Sequence, residues 1–190
     1  MINRKEFMKG CTVALCASSI CRAAHAAQSG SSDQPVGSCD KDQFNAVQGK
    51  LDSGQLRFAK FVESIDKKFD EPQRKELFNG FGRQCAATYR AELLDRFKGN
   101  IRGFLEAGLK GWMAEATYDE AAGTIRVVDK SKHCTCPLVK EGTTPPSFCD
   151  CTVGWQEEAY STILGRPVHA ELEESILRGG KRCVFRMTVV

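Results

Sequence analysis

Cys183-Val184-Phe185-Arg186-Met187-Thr188-Val189 is the stretch that decides the fold class. Cys183, Phe185, Met187 and Val189 alternate with Arg186 and Thr188, the period of two expected of a strand with one buried face. The Gly179-Gly180 turn precedes it, and before that turn Val168, Ala170 and Leu172 alternate with His169, Glu171 and Glu173 in the same way. Further back, Glu115–Tyr118 and Thr124–Val128 flank Asp119-Glu120-Ala121-Ala122-Gly123 and read as a β-hairpin. Between hairpin and later strands, Thr152 is placed to cap a helix over about 153–164, with Gly165 as its stop.

Ahead of the hairpin the period changes. Phe58, Phe61, Val62, Ile65 and Phe69 recur at helical spacing, with Lys60, Glu63, Asp66 and Lys67 on the other side. Pro72 sits where a new helix can begin, and Asp70-Glu71 suits its N-terminus. Leu77, Phe81, Cys85, Tyr89, Leu93 and Phe97 then repeat every four residues up to Gly99-Asn100. Gly80 and Gly82 in that run either weaken the helix or permit close packing. Ile101, Phe104, Leu105, Leu109 and Trp112 form a further apolar stripe. Helices followed by antiparallel strands predict an α+β fold, with N-terminal helices packed on a C-terminal sheet and one crossing helix.

The first residues read as an address. Asn3-Arg4-Lys5-Glu6-Phe7-Met8-Lys9 resembles a twin-arginine export signal; an apolar run from Cys11 to Ile20 and an Ala24-His25-Ala26 cleavage site follow. The run is too short for a stable membrane anchor. Residues 1–26 carry Arg4, Lys5, Lys9 and Arg22 against Glu6, which is the whole formal charge of +3. What remains is near neutral, so nothing electrostatic points to nucleic acid or an anionic membrane. Residues 27–38 read as a flexible linker and 39–190 as a single domain. The expected destination is periplasmic or extracellular.

Four thiols stand in two pairs, Cys134-Thr135-Cys136 and Cys149-Asp150-Cys151. In extended chain, residues i and i+2 point to one side, so each pair aims both sulfurs one way. The Pro- and Gly-containing connection between them can fold the pairs together. Four thiolates suit zinc first and an iron–sulfur cluster second. His133 stands beside them as a surface residue or a substitute ligand. Disulfides are the alternative in an oxidising compartment, and crossed bridges such as Cys134 to Cys151 stay open; unpaired buried thiols are a third. Seven cysteines remain after residue 26, an odd number that prevents complete internal pairing. A helix starting beside Cys149 and Cys151 would favour their thiolates.

Cys183 is the second candidate, either strand filler or a thiol lining a pocket and, in a hydrolase, a nucleophile. His169 is its nearest base by sequence, but it alternates with the buried residues of its own strand. Trp155 either walls a cavity or belongs to the core. Glu171, Glu173 and Glu174 read as a solvated strand edge. The phosphate-binding loop, the dinucleotide glycine fingerprint, G-x-S-x-G and H-E-x-x-H are all missing.

Cys149 to Trp155, Gly165-Arg166-Pro167-Val168, and Ser175 through Gly179-Gly180 to Cys183-Val184-Phe185 resemble a group of bacterial proteins. These are similar to L-2-amino-thiazoline-4-carboxylic acid hydrolases and, more distantly, to 4-vinyl-reductase ligand-binding domains. The resemblance covers Trp112 to Val190. It implies an α+β domain with a small-molecule cavity between helices and sheet, and the positions it carries over are Cys183 and the Cys134–Cys151 cluster. Three functional expectations follow. The chain is an exported binding domain holding zinc on four cysteines and a small organic ligand near Cys183 and Trp155. Alternatively it is a hydrolase opening a small C–N or C=N heterocycle, or a disulfide-stapled structural domain.

Overall fold

The structure, a computed structural model, describes residues 41–190. The export signal, the linker and Cys39 lie outside the described residues. The chain divides between Ser53 and Gly54. On the N-terminal side the described residues are the first part of helix α1 (Lys41–Lys68), where Phe44, Val47 and Leu51 are exposed. Gly54–Val190 forms the second unit.

In that unit the rest of α1 buries Ala59, Val62 and Ile65 along one stripe. Helix α2 (Glu71–Thr88) starts as its sequence requires: the Gln73 amide donates to the Asp70 carboxylate at 2.9 Å, and the Gln73 side chain accepts from the Asp70 amide. That capping box satisfies donors the first turn leaves open. The four-residue repeat predicts one helix from there to Phe97, but α2 ends at Thr88 and the chain makes turns before a short 3-10 helix at Leu94–Phe97. The repeat selects Leu93, whereas the fully buried residue is Leu94. Burial of that side chain outweighs helical continuity. Asn100, expected to end a helix, instead caps helix α3 (Ile101–Lys110) by accepting from the Gly103 amide.

Four strands follow: β1 (Met113–Asp119), β2 (Thr124–Asp129), β3 (Val168–Glu174) and β4 (Val184–Val189). All neighbours are antiparallel, in the order β1-β2-β4-β3. Helix α4 (Asp150–Leu164) lies in the connection from β2 to β3. The fold is α+β, with helices mostly first and the antiparallel sheet last. Alternation sets the inward rows: Ile125, Met187 and Ala170 are cross-strand partners, as are Val127, Phe185 and Leu172. These pack with Leu94, Phe104, Tyr160 and Ile163 into the main core. A second apolar cluster gathers Val62, Ile65, Phe78, Val139 and Phe148.

The outer face of the sheet carries charge. Arg126 and Arg186 lie directly opposite one another, an arrangement that is unfavourable alone. Glu173 sits between them, accepting from Arg126 Nε at 2.9 Å and Arg186 Nε at 2.6 Å. Those guanidinium groups hold its carboxyl below the usual carboxylate range. Gly165 ends α4 with φ +66°, as expected of a left-handed stop.

Candidate functional site

The inward rows of the sheet do not end in packed core. One step beyond Val127 and Phe185 come Asp129 and Cys183, joined by an Asp129 amide to Cys183 carbonyl bond of 2.9 Å. Here the sheet opens into a cavity of about 370 Å³. The sheet supplies Val127, Asp129, Leu172, Cys183 and Phe185; α2 supplies Phe81, Gly82, Cys85 and neighbouring Tyr89. The start of α4 adds Cys149, Cys151, Thr152, Trp155 and Gln156. Phe104, Trp112 and Met113 close one side, and the His133–Leu138 loop and Ser175–Leu177 turn close the others.

Two glycines set how near α2 comes to α4. A Cβ on Gly82 would run into the Cys151 carbonyl, and one on Gly154 into that of Asn79. Of the two roles open to Gly82, close packing is therefore the one realised. That contact fixes the wall carrying Cys85, Cys151 and Trp155. Thr152 does not cap α4: the helix begins at Asp150 with Cys149 in the cap position and no side-chain cap bond. A preceding 3-10 turn, Pro146–Cys149, runs directly into it.

All six described cysteines are free, and all six line this cavity. Cys134, Cys136, Cys149 and Cys151 thus share one space, as their spacing predicts. As positioned, no group of three or more His, Cys, Asp or Glu among the described residues is gathered closely enough to hold a metal ion. Burial pushes the Cys134 thiol up to about 11. Cys136, Cys149 and Cys151 are raised too, chiefly by burial and further by neighbouring charge. The helix-start argument for low thiol pKa at Cys149 and Cys151 is therefore corrected: desolvation outweighs the helix terminus. The Ser175 hydroxyl, 3.3 Å from the Cys149 sulfur, donates to it, and this bond and the Arg178 charge both oppose the effect of burial on that thiol.

Arg178 and Ser175 are positions the sequence reading passes over. Arg178 reaches the buried Asp150 carboxylate at 2.7 Å, and its amide donates to the Ser175 hydroxyl at 3.2 Å. Together they fasten the 175–178 turn to the start of α4. Asp129 and Gln156 were also missed. The signal for Asp129 was present, since it continues the inward series Ile125, Val127.

Cys183 is half-buried on the cavity wall, and burial raises its thiol. His169 lies elsewhere, 3.2 Å from Glu157 and largely exposed, and so gives Cys183 no base. His133 is exposed at the rim, 3.6 Å from Glu141. Trp155 is half-buried and does line the cavity. Glu171 and Glu174 are exposed along β3, as read, while Glu173 is tied to its two arginines.

No protein-family model matches the chain, and no curated protein matches it. Among solved structures it is similar to a trafficking protein particle complex subunit 3 from Naegleria fowleri, covalently bound to palmitic acid. That similarity is at 12% identity and TM-score 0.48, covering 75% of this chain and 96% of the other. It is also similar to the phenol-responsive sensory domain of the transcription activator PoxR with phenol, at 13% identity and TM-score 0.38, covering 73% and 74%. At these scores neither likeness bears on what the cavity holds.

Proposed function

We propose that the chain is an exported domain that binds a small, largely apolar organic molecule in the Cys-lined cavity. The cavity itself carries the reading. Its volume lies in the range of about 300–1,000 Å³ usual for small-molecule sites, and its walls are aromatic and aliphatic with few polar groups. Such a space left empty forfeits dispersion contacts on every side, which an apolar guest restores. The resemblance of Trp112–Val190 to 4-vinyl-reductase domains implies the same kind of site. Both tryptophans of the chain, Trp112 and Trp155, line the cavity, so their emission reports on it directly. Titration with a panel of one-ring aromatic compounds is expected to change that emission saturably and to raise the unfolding temperature. A flat response to every compound would overturn the reading.

A second reading concerns the four paired cysteines. Burial raises Cys134, Cys136 and Cys151, neighbouring thiolates raise them further, and no Lys or Arg side chain among the described residues lines their cavity. A divalent cation, zinc first by donor type, would supply the missing charge and stabilise the thiolates. The four would have to draw closer than they stand, with the loop carrying Cys134 and Cys136 the segment to move. Elemental analysis of the purified mature chain is expected to give one zinc, with four more thiols reacting after chelation. A metal-free protein with all thiols reacting at once, after expression with zinc present, would remove this reading.

A further inference from the structure

The cavity is unequal in charge. Among the described residues Asp129 is its only carboxylate, and none of their lysine or arginine side chains lines it. The Asp129 carboxyl makes no hydrogen bond or ion pair within the described residues. Arg182 is adjacent in space, but its guanidinium is directed at the Asp129 and Lys130 backbone carbonyls, at 3.1 and 2.6 Å. His133 faces Glu141 at the rim. Burial, and after it the nearby Asp129 charge, hold the Tyr160 phenol neutral. The Tyr160 hydroxyl is fully buried and has no partner. Buried polar groups are normally satisfied, and an uncompensated carboxylate in an apolar wall is costly. Phe104 and Trp112, their rings 5.8 Å apart, line the same cavity, and aromatic rings attract cations.

We infer that the ligand of this cavity carries a protonated amine on an aromatic or aliphatic body, and that the amine is held by the Asp129 carboxylate. This rests on the cavity being a ligand site and adds the chemical class of its occupant. The amine donates to Asp129, the carboxylate on the cavity wall. The apolar body fills the space toward Trp155 and Phe185. An anionic ligand of the same size meets no lysine or arginine among the described residues of the wall and is repelled by Asp129.

Three one-ring probes of similar size test this with the full chain: benzylamine, benzyl alcohol and benzoate, followed by tryptophan emission at pH 7.5. Benzylamine is expected to bind at least about 10-fold more tightly than benzyl alcohol, and benzoate more weakly than either. Asp129→Asn is expected to erase the amine's advantage, with thermal unfolding of that variant showing that it is folded. If benzyl alcohol binds and benzylamine gains nothing, or Asp129→Asn keeps the preference, the amine assignment is overturned while the cavity reading stands. If none of the three binds, both fall.

Discussion

At Asp129 the fold holds a carboxyl where its charge is poorly tolerated. Burial pushes it from an ordinary 3.8 up to about 6. The native state therefore keeps its proton over a pH range in which the unfolded chain has released it. Because the folded form then binds more protons, this group makes stability fall as pH rises between about 4 and 6. Above that window the penalty is constant, and below it the penalty is absent. At full burial the displacement would be worth roughly 3 kcal/mol; for a partly exposed group, water screening reduces it to about 1–2 kcal/mol. Tyr160 and Cys183 are the titratable groups that interact with it, and both stay neutral throughout. Asp129→Asn should accordingly stabilise the empty protein by about 1–2 kcal/mol at pH 8 and by nothing near pH 3.5. Urea midpoints at the two pH values measure this. An equal effect at both would mean that packing, not charge, is what changed. A carboxylate perturbed by burial in a cavity wall is a position suited to binding a cation.

At the scale of elements, the crossing of α2 and α4 depends on missing side chains. Gly82→Ala or Gly154→Ala puts a methyl into the opposing backbone carbonyl, and overpacking of this sort costs about 1–3 kcal/mol. Gly80, two residues from Gly82 in the same helix, has nothing within reach of an added Cβ. Gly80→Ala should instead stabilise by about 0.5–1 kcal/mol through helix propensity. Thermal melts of the pair must move in opposite directions if the close approach is real. At the other end of α2, Asp70→Ala should cost about 1 kcal/mol, since it removes the side-chain acceptor of the capping box. Signals of this local kind were legible in sequence: the capping residues, the hairpin, the alternation of β3 and β4, and the left-handed stop at Gly165. The breaks were not. Nothing in a four-residue repeat says that Leu94, not Leu93, reaches the core, because tertiary packing makes that choice. Thr152 looked like a cap only because the 3-10 turn that already starts α4 upstream carries no strong sequence mark. The thiols were legible as one cluster, while their raised pKa depends on burial that spacing does not encode. Asp129 was legible and overlooked, one alternation step past Val127 and just beyond a strand read as ending at Val128.

Across the whole Gly54–Val190 unit, the cavity lies where two cores meet. Phe104, Met113, Val127 and Phe185 belong to the sheet core, while Cys134, Cys136, Leu138, Cys151 and Leu177 pack on the second cluster. A guest touching both adds contacts that neither core can make for itself, so binding should appear as stability of the unit. At a ligand concentration 100 times its Kd, linkage gives about 2.7 kcal/mol, or roughly 8 °C in unfolding temperature for a unit of this size. The Arg178–Asp150 pair holds part of that junction in place. Arg178→Ala leaves Asp150 buried and unpaired; with Arg178 itself partly exposed, the cost should be about 1–3 kcal/mol. It also frees the 175–178 turn that closes one side of the cavity. The variant should therefore melt lower when empty and also gain less from ligand than the wild type does. Equal ligand-induced shifts in the two proteins would mean that the turn is a fastening for the fold alone and takes no part in enclosing the guest.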